Sequence, residues 1–181
     1  MEEKQIRTKE VDSGGTQREA VFAVWKEAED RFETIFGRRY SGLTESYRTE
    51  DADHIIITLG SIAGLVREVV DALRQEDRRV GLLRLRYLRP FPNEEIADTV
   101  KNAKAVAVLE KDISFGNEGT VYTNVNSALQ KAGINIPNSN YIGGLGGKNI
   151  TSKEIKDIFD ELEQQRSTVK CLGIGGEANG G

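Results

Sequence analysis

Short apolar runs alternate with longer amphipathic stretches along most of this chain. "HIIITLG", from His54, is continuously apolar and β-branched, as expected of a strand buried on both faces. After it, Ile62, Leu65, Val66, Val69 and Leu73 recur at helical spacing, with Ser61 placed as the cap. "RRVGLLRLRYL" is a second strand, and "RPFP" ends it because two prolines cannot continue a ladder. "NEEIADTVKNA" follows as a short helix and "KAVAVLEKD" as a third strand. "TVYTNVNSALQKAG" is a helix ending at Gly133, and "SNYIGG" is a fourth, short strand. In "TSKEIKDIFDELEQQ", Ile155, Ile158, Phe159 and Leu162 share one helical face. Upstream, Val21, Trp25, Ala28, Phe32 and Ile35 mark a helix that Gly37 stops, and "GRRYSGLTESYRTEDAD" is a polar loop. Strand signals separated by helix signals imply an α/β fold: three layers, αβα, around a mostly parallel sheet of four to five strands.

Composition narrows this to one domain. With 181 residues, 38% of them hydrophobic, and 19 glycines, the chain suits a globular α/β domain. Residues 1–16 are charged and are expected to form a flexible leader, 17–165 the domain, and 166–181, ending in "CLGIGGEANGG", a flexible tail. A net charge of −4 points away from nucleic acid and membrane surfaces. No apolar run approaches the roughly 20 residues of a membrane span. The start, "MEEKQIRTKEVDSGGTQRE", lacks a signal-peptide core, so the expected location is cytoplasmic. Cys171 is the one cysteine and His54 the one histidine. A disulfide, a four-cysteine iron–sulfur cluster or a structural zinc site therefore cannot be built within this chain. His54 is expected to open a strand rather than catalyse.

The glycine-rich turns are the candidate anion sites. "IGGLGGKNIT" fails as a P-loop, because Ile142 stands where the first glycine must be and Asn149 follows Lys148. A looser site at Gly146, Gly147 and Lys148 competes with a capping box of Thr151 and Glu154, which explains the helix start without a ligand. In "TLGSIAG", Gly60 and Ser61 lie at a strand's carboxyl end, but neither G-x-G-x-x-G nor G-x-S-x-G is present. In "RLRYLRPFP", Arg84 and Arg86 share a strand face and Arg89 ends it. Arg86, Arg89 and Phe91, with Arg38, Tyr40 and Tyr47, are the interface candidates. The carboxylates of "NEEI", "EDAD" and "EKD" are expected to be solvated. No catalytic centre emerges.

Five segments in order carry a resemblance: "IFGRRYSGLTESY", "DADHIIITLGSIAGLVREVVDALR", "VGLLRLRYLRPFPNEEI", "VAVLEKDISFGNEGTVYTNV" and "YIGGLGGKNITSKEI". From about Gln17 to Leu162 the chain resembles the transketolase C-terminal-like domain of pyruvate:ferredoxin oxidoreductase (pyruvate synthase) alpha chains. "RPFP" followed by "GLGGKNIT" is specific in combination. Glu110 and Lys111 stand where the family commonly has an Asp-Arg pair. The resemblance implies membership of a complex that converts pyruvate and CoA to acetyl-CoA, CO2 and reduced ferredoxin. Such a complex uses thiamine diphosphate, Mg, iron–sulfur clusters and CoA. The thiamine site would lie between two other domains, so no catalytic residue carries over and this piece alone is expected to bind no cofactor and be inactive. Its implied role is packing against thiamine-binding and ferredoxin-type subunits. The alternatives are a stand-alone small-anion or CoA-binding module, or the equivalent domain of a 2-oxoacid dehydrogenase or transketolase.

Overall fold

A computed structural model describes residues 15–40, 42–165 and 167–173. The chain divides into two compact units, Met1–Ser41 and Gly42–Gly181. This boundary falls inside the stretch 17–165 expected as the domain. Most of the expected leader lies outside the described residues. Gly15 and Thr16 open a helix instead.

The first unit holds α1, Gly15–Phe36. Gly37 ends it in the left-handed region (φ 64°), its N–H donating to the Glu33 carbonyl at 2.8 Å. Phe32 packs against Phe36 and Tyr40, with ring centroids 4.5 and 5.7 Å away, and Arg39 pairs with Asp30 and Glu33. The anticipated apolar face is only partly covered. Trp25 and Phe32 are half-buried, whereas Val21, Ala28 and Ile35 are exposed. Among the described residues this unit has no second element to close over that stripe.

The second unit is a six-stranded sheet flanked by helices. Its elements are β1 (Thr44–Tyr47), β2 (His54–Leu59), α2 (Ile62–Gln75), β3 (Val80–Leu85), α3 (Asn93–Val100), β4 (Ala105–Glu110), α4 (Thr120–Lys131), β5 (Asn138–Ile142), α5 (Ser152–Leu162) and β6 (Val169–Cys171). The strand order is β1-β3-β2-β4-β5-β6, with β1 antiparallel to β3 and every other neighbour parallel.

Alternation explains the unbroken apolar strands. Ile56 of β2 and Ala105, Ala107 and Leu109 of β4 face the layer of α2 and α5. Ile55, Ile57, Val106 and Val108 face α3 and α4. Both faces are covered, so no position needs to be polar. Each fully buried isoleucine side chain contributes about 1.5–3 kcal/mol relative to exposure.

The sheet has six strands against the expected four to five, and two of them, β1 and β6, lie outside the four the pattern marks. β1, "TESY", lies in the anticipated polar loop, and it is held by Glu45, which faces Arg84 across the ladder. β6 falls in the anticipated tail. It pairs with β5 from Asn140↔Val169 to Ile142↔Cys171, and Leu172 N–H donates to the Ile142 carbonyl at 2.7 Å. Both are short edge strands with little apolar content, so neither leaves a hydrophobic pattern. Residues 174–181 lie outside the described residues.

The helix starts differ from one another. Thr151 and Glu154 form the full capping box: Thr151 Oγ1 accepts from Glu154 N–H at 3.2 Å, and Thr151 N–H donates to Glu154 Oε2 at 2.8 Å. Ser61 does not cap α2. Its backbone is already right-handed helical (φ −72°, ψ −24°), a geometry that turns the hydroxyl away from the first-turn donors.

Candidate functional site

Going from β2 to β3 the chain moves to one side of β2, and β4 returns on the other. That reversal opens a crevice beyond the carboxyl ends of β2 and β4, the usual ligand position in open α/β sheets. A cleft of about 550 Å³ lies there. Leu59, Gly60 and Ser61 line it after β2, Leu88 and Arg89 after β3, and Glu110, Lys111 and Asp112 after β4. Val121 and Asn124 of α4 complete one wall.

Glu110 is the most constrained group in this cleft. It is the last residue of β4 and only 1% exposed. Its carboxylate accepts from Val121 N–H at 2.8 Å, Tyr122 N–H at 3.1 Å and the Asn140 side-chain amide at 2.9 Å. Asn140 in turn accepts from Gly119 N–H at 2.8 Å. Val121 and Tyr122 are the second and third residues of α4, so Glu110 caps that helix from a neighbouring strand. Burial pushes its pKa above the ordinary carboxylate value, while the two backbone donors and Asn140 pull it back part of the way.

This corrects the expectation of a solvated carboxylate for Glu110, whereas Asp112 of the same "EKD" is exposed. The missed signal was Gly119, which stands at the N-cap of α4 where a capping side chain is usual. A Cβ on Gly119 would come within 1.9 Å of Glu110 Oε1, so glycine leaves room for the strand's carboxylate. Gly144 answers similarly to Lys111, whose Cε would lie 2.8 Å from an added Cβ.

The anticipated site residues do not converge. Gly60 and Ser61 line the cleft. Gly146 and Gly147 sit in a 3-10 turn after β5 with φ of 64° and 80°, and Lys148 Nζ donates to the Gly173 carbonyl. These three do not line the cleft. Tyr47 donates to Asp71 Oδ1 at 2.8 Å beneath the Arg67 guanidinium, 4.4 Å from the ring centre. Arg86 pairs with Glu45 at 2.8 Å. Arg89 lies at the cleft mouth, bonded to the Leu88 carbonyl and followed by a cis peptide to Pro90. Phe91 is 9% exposed and packs into the core beside α3, so burial removes it from the interface candidates. Arg38 and Tyr40 belong to the first unit and are exposed. His54, at the opposite end of β2, is buried.

Residues 52–155 match the family model of pyruvate:ferredoxin oxidoreductase core domain II, a span running from just before β2 into α5. The chain belongs to this family. It is 42% identical over 143 residues to the pyruvate synthase subunit PorA of Methanothermobacter thermautotrophicus, covering 79% of this chain and 36% of that protein. It is 37% identical over 147 residues to the ketoisovalerate oxidoreductase subunit VorA of Pyrococcus horikoshii, covering 81% and 36%. The chain thus spans about a third of the length of these relatives. The fold is shared with a solved split-gene transketolase, an inactive beta4 tetramer, at a TM-score of 0.55 and 16% identity, over 71% of this chain and 44% of that one. No helix among the described residues is long and apolar enough to cross a membrane.

Proposed function

We propose that this chain supplies core domain II to a cytoplasmic 2-oxoacid:ferredoxin oxidoreductase that converts pyruvate and CoA to acetyl-CoA, CO2 and reduced ferredoxin. Its part is to pack against the thiamine-binding and ferredoxin-type partners, not to carry the chemistry. The observation behind this reading is the family match over residues 52–155, joined to 42% identity with a pyruvate synthase subunit.

The donor set of this chain does not fit an iron–sulfur cluster. One cysteine cannot ligate a four-thiolate cluster. Among the described residues no three His, Cys, Asp or Glu side chains gather as metal ligands. Glu110, the buried carboxylate in the cleft, is engaged by three donors that fix a helix. At the glycine-rich turn before α5, the Thr151–Glu154 box and the Lys148–Gly173 bond occupy groups an anion would need, which disfavours a stand-alone anion module there.

Co-expression with the remaining domains and subunits of the oxidoreductase from the same organism tests the proposal. The chain should co-elute with them as one assembly on size exclusion. Separate elution in every combination would refute it.

A further inference from the structure

The large apolar side chains left exposed in the second unit gather at one end of the sheet. Among the described residues, all but Val169 lie in loops leaving carboxyl ends: Tyr87 and Leu88 after β3, Phe115 after β4 and Leu145 after β5. Phe115 is completely exposed. The cleft opens at this same rim, with Leu59, Ile62, Leu88 and Val121 among its walls. Exposed apolar groups around an apolar depression are the ordinary mark of a protein contact.

Charge at this rim is also unmatched. Arg48, Arg67, Arg74, Arg78, Arg79, Arg84 and Arg86 each pair with a carboxylate of the unit. Arg89 has no carboxylate partner among the described residues, and Lys111 likewise forms no ion pair. Both line the cleft. Asp112 lines it too, and the Glu110 carboxylate is committed to α4. The accessible charge left at the mouth is therefore net positive.

We propose that this rim is a docking surface for a partner domain of the oxidoreductase, and that the partner inserts an apolar side chain into the cleft and sets a carboxylate against Arg89 and Lys111. This rests on the functional reading above and adds the surface and the chemistry of its occupant. Arg89 is exposed at the cleft mouth, and a guanidinium suits a carboxylate bidentately. Apolar walls and Asp112 oppose a compact, multiply charged phosphate.

The test measures the affinity of the full chain for the remaining purified subunits of the same oxidoreductase by calorimetry. Arg89→Glu, Lys111→Glu and Phe115→Ser alter the rim, and Lys131→Glu, exposed at the far end of α4, serves as the control. Circular dichroism checks that each variant folds. Each rim variant should weaken binding by about tenfold or more, the control should bind like wild type, and wild-type affinity should fall as salt rises. If the subunits bind wild type and rim variants equally, this surface is wrong while membership of the complex stands. If no subunit binds wild type, both readings fall. A thermal shift with coenzyme A or pyrophosphate that Arg89→Glu abolishes, alongside unaltered subunit binding, would make the rim a small-anion site and also overturn the proposal.

Discussion

Glu110 joins the end of a strand to the start of a helix, and Gly119 leaves the room it needs. The backbone of Gly119 (φ −67°, ψ 146°) is open to any residue, so its constraint is purely the approach of Glu110. Gly119→Ala should therefore push the carboxylate off the Val121 and Tyr122 donors and lower stability by about 1–3 kcal/mol in urea unfolding. Gly119→Ser combined with Glu110→Ala gives α4 a local cap in place of the distant one. It should be less destabilised than Glu110→Ala alone. Equal loss in the two would contradict the capping role. His54 offers a second residue-level check, because it is the chain's one histidine. Burial lowers its pKa below 6.5 against the opposing pull of Glu163 and Asp53, and among the described residues its Nε2 has no hydrogen-bond partner. A depressed histidine contributes stability that is complete above its unfolded pKa and lost as pH falls through its folded one. Relative to His54→Gln, wild type should lose unfolding free energy as pH drops below about 6.5. A gap between the two proteins that stays constant with pH would remove the buried neutral imidazole. Glu110 acts in the opposite sense: its raised pKa gives a term that fades as pH climbs, common to both proteins and cancelled in the difference.

At the scale of elements, β1 depends on charge where its neighbours depend on burial. Arg67, Arg84 and Arg86 converge on Glu45. Burial works to raise the Glu45 pKa, but hydrogen bonds and charge from Arg86 and Arg67 outweigh it and hold the carboxyl below its usual range. Glu45→Gln should lower stability by roughly 1 kcal/mol and speed amide exchange in β1 before the central strands. Unchanged exchange from Thr44 to Tyr47 would show that the pairing needs no such anchor. The same contrast explains what the sequence made legible. β2 to β4 and α2 to α5 announce themselves through buried apolar periodicity, β5 only through Tyr141 and Ile142 before a glycine pair, and the α5 start through a capping box confined to four residues. β1 and β6 do not, because an edge strand tied by Glu45 or by backbone bonds to β5 needs no apolar run. The role of Glu110 was hidden for a related reason. Its partners Asn140, Val121 and Tyr122 are brought to it only by the fold, and only Gly119 hinted at them. Ser61 misled because the residue type suits a cap, whereas its backbone has already entered the helix.

For the whole molecule, the strand order sets the cleft between β2 and β4 and turns the carboxyl-end loops, with Leu88, Arg89, Lys111 and Phe115, toward one rim. The chain accounts for 36% of the length of its pyruvate synthase relative, and among the described residues no three His, Cys, Asp or Glu side chains gather as metal ligands. On the proposed function, its contribution is felt through the assembly it joins. The most direct measurement is the rate of CoA-dependent pyruvate oxidation, with a dye as electron acceptor, by the remaining domains and subunits with and without this chain. The chain alone should be inert, the incomplete mixture should turn over slowly or not at all, and adding the chain should restore the rate. Full activity in its absence, unchanged when it is added, would contradict the assignment.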